Sequence, residues 1–239
     1  VIHGEIFGVA KKINIAIFGH GTVGGTLISQ ILESAKNIEK RKGIKLNVFA
    51  IANSKKVLLN KFGISENWKA TLEDKGQEYK VEDIIAYAKE HHLENLIAID
   101  NTASATFIEN YISLAENSFD LISSNKVANT VSFDFYKKLR KVLKDNQKEY
   151  LYETNVGAGL PIIDTVKNLI ISGDKVNKIQ AVLSGSLNFI FNNFDEKNTF
   201  HDVVKEAGVQ GFTEPDPKID LSGIDVARKI LILIRESGY

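Results

Sequence analysis

A short β-branched run that breaks abruptly into glycines constrains this chain more than any other feature. Ile13-Asn14-Ile15-Ala16-Ile17-Phe18 has the nearly continuous apolar character of a strand buried on both faces of a parallel sheet. Gly19-His20-Gly21-Thr22-Val23-Gly24 follows at once. Leu27, Ile28, Ile31 and Leu32 then fall on one stripe at helical spacing, which predicts a helix ending before Gly43. Lys45 to Ala52 supplies a second strand, so the first unit is βαβ. In that setting Gly19, Gly21 and Gly24 form a GxGxxG loop whose backbone, with Thr22 and Val23, can approach a pyrophosphate seated on a helix N-terminus. A plain strand-to-helix turn is the competing explanation.

Further strands are expected at Asn95 to Asp100 and Asp120 to Ser123, with helices over Val81 to His91, Thr106 to Asn117 and Ser132 to Asp145. The loop Asn155 to Gly159, followed by Pro161 at a helix start, marks a change of domain. The reading is an α/β chain: residues 1–12 precede the first apolar run, 13–150 form a doubly wound dinucleotide-binding domain of Rossmann type, and 151–239 form a smaller α+β second domain. In that second part a strand is expected in Lys178 to Leu183, helices near Leu187 to Phe194 and His201 to Ala207, a loop from Gly211 to Ser222, and a last helix to about Glu236.

Composition narrows the chemistry. Thirty basic residues balance thirty acidic ones in 239, so no charge excess exists to hold a nucleic-acid backbone. No apolar run reaches the roughly 20 residues of a bilayer span and no signal segment opens the chain, which leaves a cytoplasmic setting as the expectation. The absence of cysteine removes thiolate metal sites and cysteine nucleophiles. With no methionine and Val1 at its start, the chain reads as a piece of a longer polypeptide.

Asn53-Ser54-Lys55-Lys56 stands where NAD-binding folds commonly place an acid for the ribose 2′-hydroxyl. An uncharged and then cationic end suits a 2′-phosphate, although a solvated lysine pair is the ordinary alternative. Asn101 to Ser104, including Thr102, and Ser123 to Lys126 follow the carboxyl ends of predicted strands, where ligands of open sheets bind. Such clusters are also the stuff of turns and caps, and Ser132 reads as a cap. Near the end, Thr213-Glu214-Pro215-Asp216-Pro217 and Asp220 gather carboxylates in a proline-stiffened loop. Ser222-Gly223-Ile224-Asp225 fits a capping box and predicts a helix from Ser222. On it Asp225 and Lys229 lie one turn apart, with Ala227, Ile230, Leu231 and Ile234 on the opposite side as an expected core stripe. Ile224 and Ile232 beside the pair predict a sheltered lysine, able to pass a proton. A solvated ion pair is the bland alternative.

Taken together the segments GHGTVGG at Gly19 to Gly25, IANSK at Ile51 to Lys55, SNKVANT at Ser124 to Thr130, YETNVGAGLP at Tyr152 to Pro161, LSGSLNFIF at Leu183 to Phe191 and GFTEPDPKIDLSGIDVARKILIL at Gly211 to Leu233 closely resemble the homoserine dehydrogenase family, in the form fused to an aspartokinase. The resemblance implies hydride transfer between NADP or NAD and aspartate 4-semialdehyde, giving L-homoserine on the route to threonine and methionine. It puts the general acid/base on Lys229, its orienting carboxylate on Asp225, substrate contacts on Glu214 and Asp220, and a lysine between nicotinamide and substrate on Lys126. It also implies a monovalent cation such as sodium at Glu153, Val156, Ala158 and Leu160, an N-terminal aspartokinase domain in the parent chain with residues 1–12 as the end of a linker from it, and a homo-oligomer formed through 151–239, which it makes an incomplete catalytic and dimerisation domain. Val127 replaces a second lysine common in the family's SNK segment, and the family's catalytic module continues beyond the DVARK helix. Two rival readings are a non-catalytic NADP-sensing module, and a fragment that carries the right residues but is inactive.

Overall fold

Ala16, Ile17 and Phe18 lose nearly all their solvent because the strand that carries them has neighbours on both edges and helices on its faces. The computed structural model describes residues 10–213 and 216–239. Strand β1 (Lys11–Phe18) opens the described chain, two residues earlier than the apolar run alone indicates, and leads through the glycine loop into α1 (Thr22–Lys42). Gly43, left-handed at φ 64°, closes that helix by donating its N–H to the Glu39 carbonyl, as a C-terminal glycine should. β2 (Ile44–Ala52) then pairs parallel with β1. The buried Asn14 and Asn47 face each other across the pair, the Asn47 amide donating to Asn14 Oδ1 at 2.7 Å.

Three elements here escape the periodicity of the sequence: β3 (Lys56–Leu59), antiparallel to β2, the helix α2 (Trp68–Lys75) and the two-residue β4 (Gln77–Glu78). The chain then crosses back through α3 (Val81–Glu90) to β5 (Leu96–Asp100), which lies parallel to β1 on its other side. A 3-10 turn at Phe107–Glu109 leads α4 (Asn110–Glu116), followed by β6 (Phe119–Ser123), α5 (Phe133–Asp145) and β7 (Tyr150–Leu151). Ser132 caps α5 through the Phe135 N–H at 3.3 Å. The sheet order is β4-β3-β2-β1-β5-β6-β7. Its connections leave β1 in opposite directions, so a switch point falls between β1 and β5, where loops part and a crevice opens at the strands' carboxyl ends.

The chain divides into two compact units, up to Tyr152 and from Glu153 onward. The second contains α6 (Ile162–Ile171), α7 (Gly185–Asn193), α8 (Phe200–Val209), α9 (Pro217–Leu221) and α10 (Ile224–Glu236). Ser184 and Thr199 cap α7 and α8 with their side chains, and Asp216 caps α9, whose first residue is Pro217.

Four expectations for this unit need correction. The segment 178–183 forms no strand, because no ladder partner flanks it among the described residues; its Ile179, Ala181 and Leu183 instead line a groove with α10. The expected loop from Gly211 to Ser222 contains the helix α9. The last helix starts at Ile224 rather than Ser222, since left-handed Gly223 intervenes and Ser222 closes α9. Its core side is also different: Ile232 and Leu233 are buried, whereas Ala227, Ile230 and Ile234 are exposed and Leu231 is half-buried. The reason is that α10 packs on α6, with Lys167 reaching Glu236 at 4.0 Å, so burial falls beside the Asp225/Lys229 side.

Candidate functional site

The glycine loop is shaped by two close approaches and one opening. Gly19 sits at φ +83°, and a Cβ there would lie 2.8 Å from the Asn101 carbonyl oxygen; a Cβ on Gly24 would lie 2.0 Å from that of Gly19. Both positions therefore exclude any side chain. At Gly21 a Cβ would meet nothing within 4 Å, so the space it leaves is open rather than filled by protein. Thr22, Val23 and Gly24 form the first turn of α1, which has no side-chain cap and no acidic residue. Such an N-terminus presents N–H groups and positive dipole to an anion.

Around this loop lies a crevice of about 940 Å³, lined among others by Gly19, Gly21, Asn53, Ser54, Thr102 and Ser104. A smaller recess of about 310 Å³ adjoins the end of β2, lined by His20, Asn53, Lys55, Lys56, Lys69, Leu72 and Glu73. Asn53 folds the chain there, its Oδ1 accepting the N–H groups of Lys55 and Lys56 at 2.8 Å each. Tyr79 donates to the Asn53 carbonyl at 2.9 Å. Lys56 gives its ammonium to the Glu73 carbonyl at 2.8 Å, while Lys55 stands exposed. Lys69 was not legible as part of this recess, because α2 that carries it was not.

On the far side of the switch point a buried polar network joins the ends of β5 and β6. Asp100 is 2% exposed; its Oδ2 accepts from the Tyr111 hydroxyl at 2.6 Å and from Asn125 Nδ2 at 3.1 Å, and its Oδ1 accepts from the Thr102 N–H at 2.7 Å. Burial pushes the Asp100 carboxyl up, and the hydrogen bonds from Tyr111, Thr102 and Asn125 oppose that rise. The Tyr111 phenol is raised well above its ordinary value, first by burial and then by the charges of Tyr150 and Asp100, so it stays protonated as a donor. Lys126 follows Asn125 directly and opens a 3-10 turn at Val127–Asn129.

In the second unit Lys229 Nζ lies 2.6 Å from Asp225 Oδ2 and donates to the Leu183 carbonyl at 2.7 Å. The Lys229 side chain is 18% exposed. A partner forty-six residues away distinguishes it from a solvated pair on one helix. Asp220 Oδ1 accepts from the Ser186 hydroxyl at 2.8 Å. Lys229 and Asp220 thus grip the 183–186 segment at its two ends, a role for Leu183 and Ser186 that residue types alone did not reveal. Glu214 lies outside the described residues.

For the expected cation the fit is incomplete. Both Glu153 oxygens accept helix N–H groups, from Ile163 at 2.8 Å and Asp164 at 2.9 Å, and the Leu160 carbonyl accepts from Ile162 at 2.9 Å. Val156 is buried, Leu160 is exposed, and Gly157 and Ala158 are left-handed, as a turn into a helix requires.

An open, mainly parallel sheet with a glycine-lined crevice at its switch point is the architecture of a dinucleotide-binding protein. Comparison with known families narrows this further: residues 19–153 match the model described as homoserine dehydrogenase, NAD binding domain, and residues 161–239 match that of homoserine dehydrogenase. The chain belongs to the homoserine dehydrogenase family. It is 44% identical over 240 residues to a bifunctional aspartokinase/homoserine dehydrogenase of Buchnera aphidicola, covering all of this chain and 29% of that protein. It is 38% identical over 239 residues to a chloroplastic one of Arabidopsis thaliana, covering 99% of this chain and 26% of that protein. The chain thus spans less than a third of the curated relatives it matches. A hyperthermophilic archaeal homoserine dehydrogenase in complex with NADPH superposes with a TM-score of 0.78 at 27% identity, covering 95% of this chain and 70% of that one. Among the described residues no helix is long and apolar enough to cross a membrane.

Proposed function

We propose that this chain is the dehydrogenase module of a larger protein, acting with NADP or NAD on aspartate 4-semialdehyde and L-homoserine, in the cytoplasm and beside an aspartokinase domain. Residues 13–150 carry the cofactor and 151–239 the substrate chemistry and the contacts of a homo-oligomer. The observation that carries the reading is the sheltered Lys229 ammonium, held at 2.6 Å by Asp225 and at 2.7 Å by the Leu183 carbonyl.

When bound, the nicotinamide would supply hydride to the aldehyde carbon. The protein's share is proton and charge. Lys229 delivers a proton to the oxygen that gains charge, and Asp225 keeps the ammonium oriented until then. Asp220, anchored by Ser186, and Glu214 offer carboxylates for the substrate's α-ammonium. The first turn of α1 would hold a cofactor's pyrophosphate, and Lys55 with Lys69 would hold a 2′-phosphate, which favours NADP. Lys126 and Thr102 border the nicotinamide half. A monovalent cation at the Val156 and Ala158 carbonyls, beside Glu153 and Leu160, enters no step.

Loss of NADPH absorbance with aspartate semialdehyde tests this. Lys229→Ala is expected to lose turnover by about a thousand-fold while NADPH affinity stays. Unchanged turnover in the variant removes Lys229 from the chemistry. A native chain that binds NADPH without turnover points to a sensing module or an inactive piece; one that does not bind it overturns the reading.

A further inference from the structure

Asp100 ties together two loops that the sequence keeps apart. The Asn125 side chain has its orientation fixed, because the Val127 N–H donates to its Oδ1 at 3.1 Å, so its Nδ2 must act as donor. That nitrogen reaches Asp100 Oδ2 at 3.1 Å and the Ser104 carbonyl at 2.9 Å. The other Asp100 oxygen takes the Thr102 N–H. One acceptor-only group therefore fastens segment 101–104 to segment 123–127, and an amide in its place would turn an NH₂ toward a donor on one side or the other. Burying a carboxylate on neutral donors costs stability, so a purely structural link would more cheaply be neutral. The site of this link matters: in a sheet of this kind the adenosine of a dinucleotide would sit toward the end of β2, so its remaining half would extend over β5 and β6.

We propose that Asp100 is a positioning residue, which locks segments 101–104 and 123–127 in the arrangement that receives the nicotinamide half of the cofactor. This rests on the functional reading above. Asp100 touches neither cofactor nor substrate; it acts through Thr102, Ser104 and Asn125, and through Asn125 on the neighbouring Lys126.

The test compares two probes on the whole chain: NADPH, and 2′,5′-ADP, which carries only the adenosine half with its 2′-phosphate. Asp100→Asn is expected to weaken NADPH roughly ten-fold while 2′,5′-ADP changes by less than about two-fold. Asn125→Ala removes the same bridge with the carboxylate left in place, and is expected to reproduce the split even where Asp100→Asn melts too early to measure. Equal weakening of both probes, or no change in either, in a variant whose melting remains cooperative overturns the inference alone. A native chain that binds neither probe overturns the functional reading and the inference with it.

Discussion

The two units handle apolar surface in opposite ways. In the first, a seven-stranded sheet sits between helices, and Ala16, Ile17, Phe49, Ala50, Ile51 and Ala52 are solvent-free. In the second, regular structure among the described residues is helical, and a cluster of Ile190, Val203 and Ala207 is its compact kernel. There Ile171 (82%), Val182 (76%) and Val209 (83%) remain exposed. A sheet covered on two faces closes its own core; short helices with a long irregular connection do not. The glycine loop therefore rides on the stiffer scaffold, while Lys229 is held by specific hydrogen bonds on the thinner one.

Matched truncations in the two units probe that contrast most strongly. Ile28 and Ile190 are both fully buried. Ile28→Ala is expected to cost about 4 kcal/mol, and Ile190→Ala about 2 kcal/mol, because thinly packed helices can settle into the space. Trp68, the chain's single tryptophan and a member of the first core, reports the first unit by fluorescence; helices of both units contribute to circular dichroism, so the part of its transition that Trp68 does not share reports the second. Equal costs would break the contrast. A second substitution sharpens it within the stiff unit: Gly24→Ala drives a methyl into the Gly19 carbonyl and is expected to lose about 3 kcal/mol in the Trp68 transition. A loss of a few tenths would mean the loop yields, and its rigidity would have to be given up. Smallest is Glu153→Gln, which leaves one oxygen where two accepted α6 N–H groups; about 1 kcal/mol is expected in the dichroism transition alone. A comparable shift in Trp68 would show that the cap serves both units.

The same two regions differ in how plainly their sequences encode their structure. The β1–α1–β2 unit was legible because its apolar run, glycines and helical stripe all repeat the same message, and each element touches its neighbours in order. β3 and α2 were not, since four residues after a polar turn and an eight-residue helix carry too little periodicity. A strand was expected in Lys178 to Leu183, yet a ladder needs a partner and none lies beside it among the described residues. On α10 apolar residues fall on both sides, so only packing against α6 decides which side is buried. The Asp225/Lys229 pair was legible from spacing, whereas the Leu183 carbonyl and Ser186 depend on tertiary folding. Asn125 fell within the Ser123 to Lys126 cluster, where Lys126 was the residue picked out; Asp100, one residue before a polar cluster, looked like the end of an apolar run.

The Leu183 carbonyl has a consequence for the lysine once its proton is gone. A neutral amine still carries two N–H bonds, so it can keep its berth on that backbone oxygen while its attraction to Asp225 fades. In the proposed reaction the side chain then need not swing away between turnovers, and re-protonation would find it where it started.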